Sequence, residues 1–311
     1  MTNNISVSGN VTLGASMGVS GTGTLLVKTT SNMTSNGKTW PNNLTLNGST
    51  FTATLIDNWA VTGAYTQGDS SSTVTLNGAF TMTVSGNLNL GAAAGGIAAG
   101  SATVIAGTSG TQSLTNGGGT CRVNLTFNAA GTVTMPATFS FNTGTLTYTA
   151  GTVDASGTTL TCNGANTTLA VNGLTWGAVT LSGVATITLS ENVNCAGLLT
   201  LGSTTNALAV NGNAINCSGG VRLGGSSALV TGTTVIQVIA TQTLDAPSLT
   251  SGSIANPIVI NAPGGTVTIA TAGDTPFRCL LNQVDAQAGT IVTDKGTWKT
   301  LGGKATYQLG I

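Results

Sequence analysis

Two long segments of this chain are copies of each other, and that constrains the fold before any single residue is interpreted. Thr39 to Gly91 reads TWPNNLTLNGSTFTATLIDNWAVTGAYTQGDSSSTVTLNGAFTMTVSGNLNLG, and Thr175 to Gly224 reads TWGAVTLSGVATITLSENVNCAGLLTLGSTTNALAVNGNAINCSGGVRLG. Thr39-Trp40 matches Thr175-Trp176, and Leu44-Thr45-Leu46-Asn47-Gly48 matches Val179-Thr180-Leu181-Ser182-Gly183. Thr52 to Gly68 then matches Thr186 to Gly202 without a gap, so that Asp57-Asn58 meets Glu191-Asn192 and Gly63 meets Gly197. A looser copy opens at Thr120, with Asn124-Leu125-Thr126-Phe127-Asn128 in place of Asn43 to Asn47, and a further start stands at Thr297-Trp298. Self-similarity of this kind is the signature of stacked repeat architectures.

The local pattern inside each copy is strand. Thr, Val, Ile and Leu alternate with small polar residues over four to six positions, and the runs close on Gly or on Asn-Gly: Asn47-Gly48, Asn77-Gly78, Asn163-Gly164, Asn172-Gly173, Asn211-Gly212. Asn-Gly permits two readings. It can make a two-residue hairpin, which implies antiparallel meanders. It can also make a corner with positive φ between short strands of a coil. The coil reading is favoured because the same apolar positions recur between copies and helix patterns are nearly absent. Only Ala92 to Ala99 and the stretch after Pro276 offer a helix. The expected fold is all-β: a parallel β-solenoid of imperfect repeats, with coils of roughly 20 residues and a less regular C-terminal cap.

The boundaries follow composition. Residues 1–38 are a Gly/Ser/Thr-rich first coil or anchor. Residues 39–272 are the solenoid, with clean copies at 39–91 and 175–224 and the loose copy at 120–173. Residues 273–311 hold a concentration of charge (Asp274, Arg278, Asp285, Asp294, Lys295, Lys299, Lys304), which suits a cap or docking segment.

Charge is otherwise scarce. Charged residues are 5% of the chain and the net charge is zero, so electrostatic attraction to nucleic acid or to an anionic membrane is not expected. Disorder is not expected either, because 40% of residues are apolar and recur in period. MTNNISVSGNV lacks a basic or apolar leader pattern, which points to synthesis in a cytoplasm.

The sequence contains no His, which removes Ser-His-Asp and Cys-His catalysis and any His-ligated metal. The five Cys form no CxxC pair. Cys121 stands for Trp40, Cys162 for Leu76, Cys195 for Val61 and Cys217 for Val84, so they read as small buried hydrophobes. No cofactor is expected. A carboxylate-based glycosidase would need two acids across one bond, but the equivalent pair Asp57 and Glu191 lies far apart in sequence. Both read as turn-capping acids. Trp40, Trp176 and Trp298 begin repeats at equivalent points, as core or corner rings or as surface-binding aromatics for sugar. The many Thr-x-Thr pairs read as β propensity.

GKTWPNNLTLNG, GLTWGAVTLSG and GGTCRVNLTFN share the pattern Gly-x-Thr-Trp/Cys followed by Leu-Thr or Val-Thr. This style resembles the Gly/Thr/Asn-rich β-helix repeats of bacteriophage virion proteins of the tail-fibre or appendage type, and of adhesin-like surface proteins. The resemblance implies a non-enzymatic structural or adhesive role at a virion surface: a fibre, spike or appendage component that attaches to a host. It also implies homo-oligomerisation, with a trimer favoured, beside other virion proteins and against a host-surface glycan. A capsid-decorating protein, a bacterial adhesin or filament subunit, and a polysaccharide-degrading β-helix enzyme are the alternatives.

Overall fold

The computed structural model describes residues 4–14, 16, 22–68, 73–91, 97–98, 100–164, 166–182, 186–201, 206–209, 213–223, 228–231, 235–245, 258–270 and 284–293. Among the described residues there is no helix. The strands are short, and each pairs in parallel with a strand about one coil away in sequence. Leu25, Leu44, Tyr65 and Leu88 are successive register partners, which gives coils of 19, 21 and 23 residues. The fold is a parallel β-solenoid, and the described Asn-Gly sites turn corners rather than hairpins; Asn211-Gly212 lies outside the described residues.

The chain divides into two compact units, Met1–Asp154 and Ala155–Ile311. In the first, the inward-facing side chains form continuous columns. One column runs Trp40, Val61, Val84, Ala106, Phe127, and another runs Trp59, Met82, Val104, Leu125, Leu146. All ten are buried. Most strands alternate one such residue with one pointing outward, as Leu44-Thr45-Leu46 and Phe51-Thr52-Ala53-Thr54-Leu55 illustrate. Burial of each large aliphatic is worth about 1.5–3 kcal/mol relative to exposure, so the columns carry the stability of coils that are individually too small to hold a core.

The second unit follows the same plan. Trp176, Cys195, Cys217 and Val238 form the column equivalent to the one that starts at Trp40, and Ile260 is the next register partner. Leu160, Val179, Leu199, Val221 and Leu244 repeat Leu25, Leu44, Tyr65, Leu88 and Leu114. The correspondence extends well past the two copies visible in the sequence. Each unit has a pair of long strands interrupted by an irregularity, Asn124–Thr134 with Gly144–Asp154 and Ile258–Ala270 with Val284–Thr293. The irregularity falls on the same residue in both, Asn128 opposite Ala150 and Asn261 opposite Ala288. The chain is therefore a duplication of a multi-coil unit.

That phase changes the reading of the loose copy. Leu125 and Phe127 stack in the columns of Trp59 and Trp40, whereas Leu44 and Leu46 stack on Leu25 and Val27. Residues 5–34 contribute strands that pair with the coil after them, at Ile5–Val7, Val11–Thr12, Leu25–Val27 and Ser31–Thr34. Of residues 273–311, only Val284–Thr293 is described. Ala92 to Ala99, one of the helix candidates, is described only at Ile97–Ala98, which is a strand.

Two different constraints place glycine at the corners. Asn36 and Gly37 turn with φ of 52° and 71°, the left-handed region expected of an Asn-Gly corner. Gly63 instead sits where two coils touch: a Cβ there would lie 2.3 Å from the Asn42 carbonyl carbon.

Candidate functional site

Asp57 and Glu191 occupy the same place in their units and do the same work. Asp57 Oδ1 accepts from the Ser35 amide and its Oδ2 from the Asn36 amide, both at 2.7 Å. Glu191 Oε2 accepts from the Asn172 amide at 2.9 Å. In each unit the carboxylate caps the Asn-Gly turn of the preceding coil, Asn36-Gly37 or Asn172-Gly173, where unpaired N–H groups converge. The neighbouring amide points the other way. Asn58 Oδ1 accepts from the Thr81 amide at 3.0 Å and from its hydroxyl at 3.2 Å, and Asn192 Oδ1 accepts from the Ala214 amide at 2.8 Å. The acid-Asn dipeptide thus ties one coil to the coil on either side.

Other asparagines repeat the forward tie. Asn4 reaches the Thr24 amide, Asn10 the Asn32 amide, Asn43 the Ala64 amide, Asn87 the Ser113 amide and Asn124 the Thr145 amide, at 2.9–3.1 Å. A sequence reading that assigns Asn to Asn-Gly corners misses these. Their signal is an Asn just before a strand whose partner amide lies one coil later.

A second device was also missed. Gln112 and Gln242 stand at the start of equivalent strands, as the second residue of Thr111–Thr115 and the first of Gln242–Asp245. Gln112 Nε2 donates to the Val84 carbonyl at 3.0 Å and also to Gly86, while Gln242 Nε2 donates to the Cys217 carbonyl at 2.7 Å. Val84 and Cys217 are themselves equivalent, so a buried amide closes the same corner in both units.

Trp40 and Trp176 are 3% and 0% exposed, so the surface-binding reading of these rings is set aside. The alternation that places Thr39 and Thr175 outward turns the following indole into the coil. Trp40 Nε1 donates to the Asn43 carbonyl at 3.0 Å. Trp298 lies outside the described residues. Cys121, Cys162, Cys195 and Cys217 are buried free thiols. Burial pushes Cys121 and Cys162 up to about 12, and it raises the Tyr65 phenol well above its ordinary value.

What the coils offer outward is neutral and hydroxylated. In the first unit Thr45, Thr66, Asn89 and Thr115 stand in one column, and Thr126 and Thr147 in another. In the second, Thr161, Thr180, Thr200 and Arg222 do the same. Each column places a hydrogen-bonding group about every 4.8 Å. Among the described residues no group of three or more His, Cys, Asp or Glu could hold a metal, and no helix is long and apolar enough to cross a membrane.

Comparisons with protein-family models, with curated proteins and with solved structures find no match.

Proposed function

We propose that this chain is a structural, adhesive component of a bacteriophage surface, a fibre, spike or appendage protein that supports host attachment. The observation that carries the reading is how the polar groups are used. Asp57 and Glu191 are spent on turns between coils, and the outward columns are largely uncharged Thr and Asn. Such faces hold shape and pack side by side without charge repulsion, which suits a homotrimer. They also offer evenly spaced hydroxyl and amide groups for a host glycan.

Two measurements test this. Light scattering of the purified chain is expected to give three times its 30.5 kDa mass. Immunogold electron microscopy of purified particles is expected to place label on a projecting appendage. Label on a bacterial surface, with the chain missing from particles, would reject the virion role in favour of an adhesin.

A further inference from the structure

The column equivalent to Trp40, Val61 and Val84 differs in the second unit in one chemically active way. Where the first unit stacks Val61 on Val84, the second stacks Cys195 on Cys217. The two cysteines are register partners on the adjacent parallel strands Val193–Cys195 and Ala214–Cys217. Both are turned inward, at 2% and 0% exposure. Their sulfurs converge on a single acceptor: Cys195 Sγ lies 3.4 Å and Cys217 Sγ 3.6 Å from the Gly197 carbonyl oxygen. Cys217 Sγ also lies 2.9 Å from the Gly220 carbonyl oxygen.

We propose that Cys195 and Cys217 are the site of an inter-coil disulfide, formed on exposure to a peroxide, that locks two successive coils of the second unit together. In-register neighbours on adjacent strands are about 4.8 Å apart, within the Cα window of a disulfide at roughly 4.4–6.8 Å. The side chains already share a face and a hydrogen-bond acceptor, so closing the bond needs a small approach of the two strands and no change of register. Their mutual interaction lowers Cys217 and raises Cys195.

The chemistry balances without further reagents. The thiolate of one of the two cysteines attacks one peroxide oxygen, the O–O bond breaks, and hydroxide leaves as the sulfenic acid forms. The other cysteine then attacks that sulfur. The S–O bond breaks, the S–S bond forms, and the second thiol's proton and the displaced hydroxide leave as water. Both sulfurs are oxidised and one hydrogen peroxide becomes two waters. Hydrogen peroxide is small enough to reach a side chain beneath a single layer of strand. The bond would close a loop running from Cys195 to Cys217, one complete coil.

The test uses the full reduced chain. It is exposed to hydrogen peroxide, quenched, denatured and alkylated with N-ethylmaleimide, and its intact mass is measured. Reduced protein should take up five labels, one for each Cys in the sequence. After peroxide the expected product carries three labels and has lost two hydrogens, and peptide mapping links Cys195 to Cys217. Cys195→Val and Cys217→Val take the residue of the equivalent coil, so they keep the fold. Each should retain four labels with no loss of hydrogen. Five labels after peroxide would overturn the proposal. So would sulfinic acid without a link, or a link that uses another cysteine in wild type or persists in either Val variant.

Discussion

Gly63→Ala puts the stacking to a quantitative test. The glycine lacks a positive φ, so a conformational argument alone predicts a benefit: Gly→Ala at a permissive position stabilises by about 0.4–1 kcal/mol through the unfolded chain. The coil beneath reverses the sign. The new methyl would stand 2.3 and 2.4 Å from the carbonyl carbon and oxygen of Asn42, and 2.5 Å from the Asn43 nitrogen. Ordinary carbon contacts lie at roughly 3.5–4.0 Å. The atoms met are backbone, so relief requires the two coils to part by roughly 1 Å.

Two hydrogen bonds span that place, Leu44 N–H to the Ala64 carbonyl and Ala64 N–H to Asn43 Oδ1, both at 2.9 Å. Stretching each by that amount takes it past bonding distance. Overpacking at about 1–3 kcal/mol and two lost bonds at about 0.5–1.5 kcal/mol each give a loss of about 2–6 kcal/mol. Urea unfolding followed by circular dichroism measures it. Gly14→Ala is the control, because a Cβ there meets nothing within 4 Å and φ is not positive. That variant should be neutral or slightly stabilised. Equal stability of Gly63→Ala and Gly14→Ala would refute the close approach of the coils.

Other consequences follow from the same contacts. Asp57→Ala removes two charge-assisted bonds and should cost about 2–4 kcal/mol, more than Glu191→Ala, which removes the bond to the Asn172 amide; thermal unfolding of the two variants ranks them. Leu46→Ala opens a cavity under a fully buried side chain and should cost about 2–5 kcal/mol in urea titration. Cys195→Val should change stability by less than about 1.5 kcal/mol, since Val61 fills the same position. Stability should fall in alkali. Cys121 and Cys162 have folded values raised from 9.0 to about 12, so the unfolded chain gives up its protons first. Their contribution is complete below pH 9 and is lost as pH rises toward 12, on the order of 4 kcal/mol each. Cys162→Val, with the residue of the equivalent coil, Val27, should flatten that decline in pH-dependent unfolding curves.

The repeat and its alternation carried the fold. Thr39-Trp40 and Thr175-Trp176 align in sequence because the same inward pocket is built twice, and a one-residue slip would turn every side chain to the wrong face. Asp57 and Glu191 were legible as caps because an acid before Asn in a Gly-rich turn has few other uses. Their target was not legible: the capped amides lie 19–22 residues earlier, across a coil boundary that only the stacking defines. The forward ties from Asn43 and Asn87 were hidden for the same reason. The full duplication was hidden because coil length drifts between copies. Leu88 to Leu114 spans 26 residues where the equivalent Val221 to Leu244 spans 23, and the alignment loses phase there. Packing between coils requires Gly63 and Gly86, where a Cβ would lie 2.3 and 2.4 Å from the backbone of the preceding coil, a demand no local pattern expresses.

In-register parallel stacking is tested most directly by amide-to-amide nuclear Overhauser contacts in the deuterated, amide-protonated chain. The expected pattern links Thr45 to Thr66 and Thr66 to Asn89, with Thr180 linked to Thr200 in the second unit. Amide-to-amide contacts between sequence-adjacent strands, such as Leu44–Leu46 with Phe51–Leu55, would instead mean antiparallel hairpins and would contradict the solenoid.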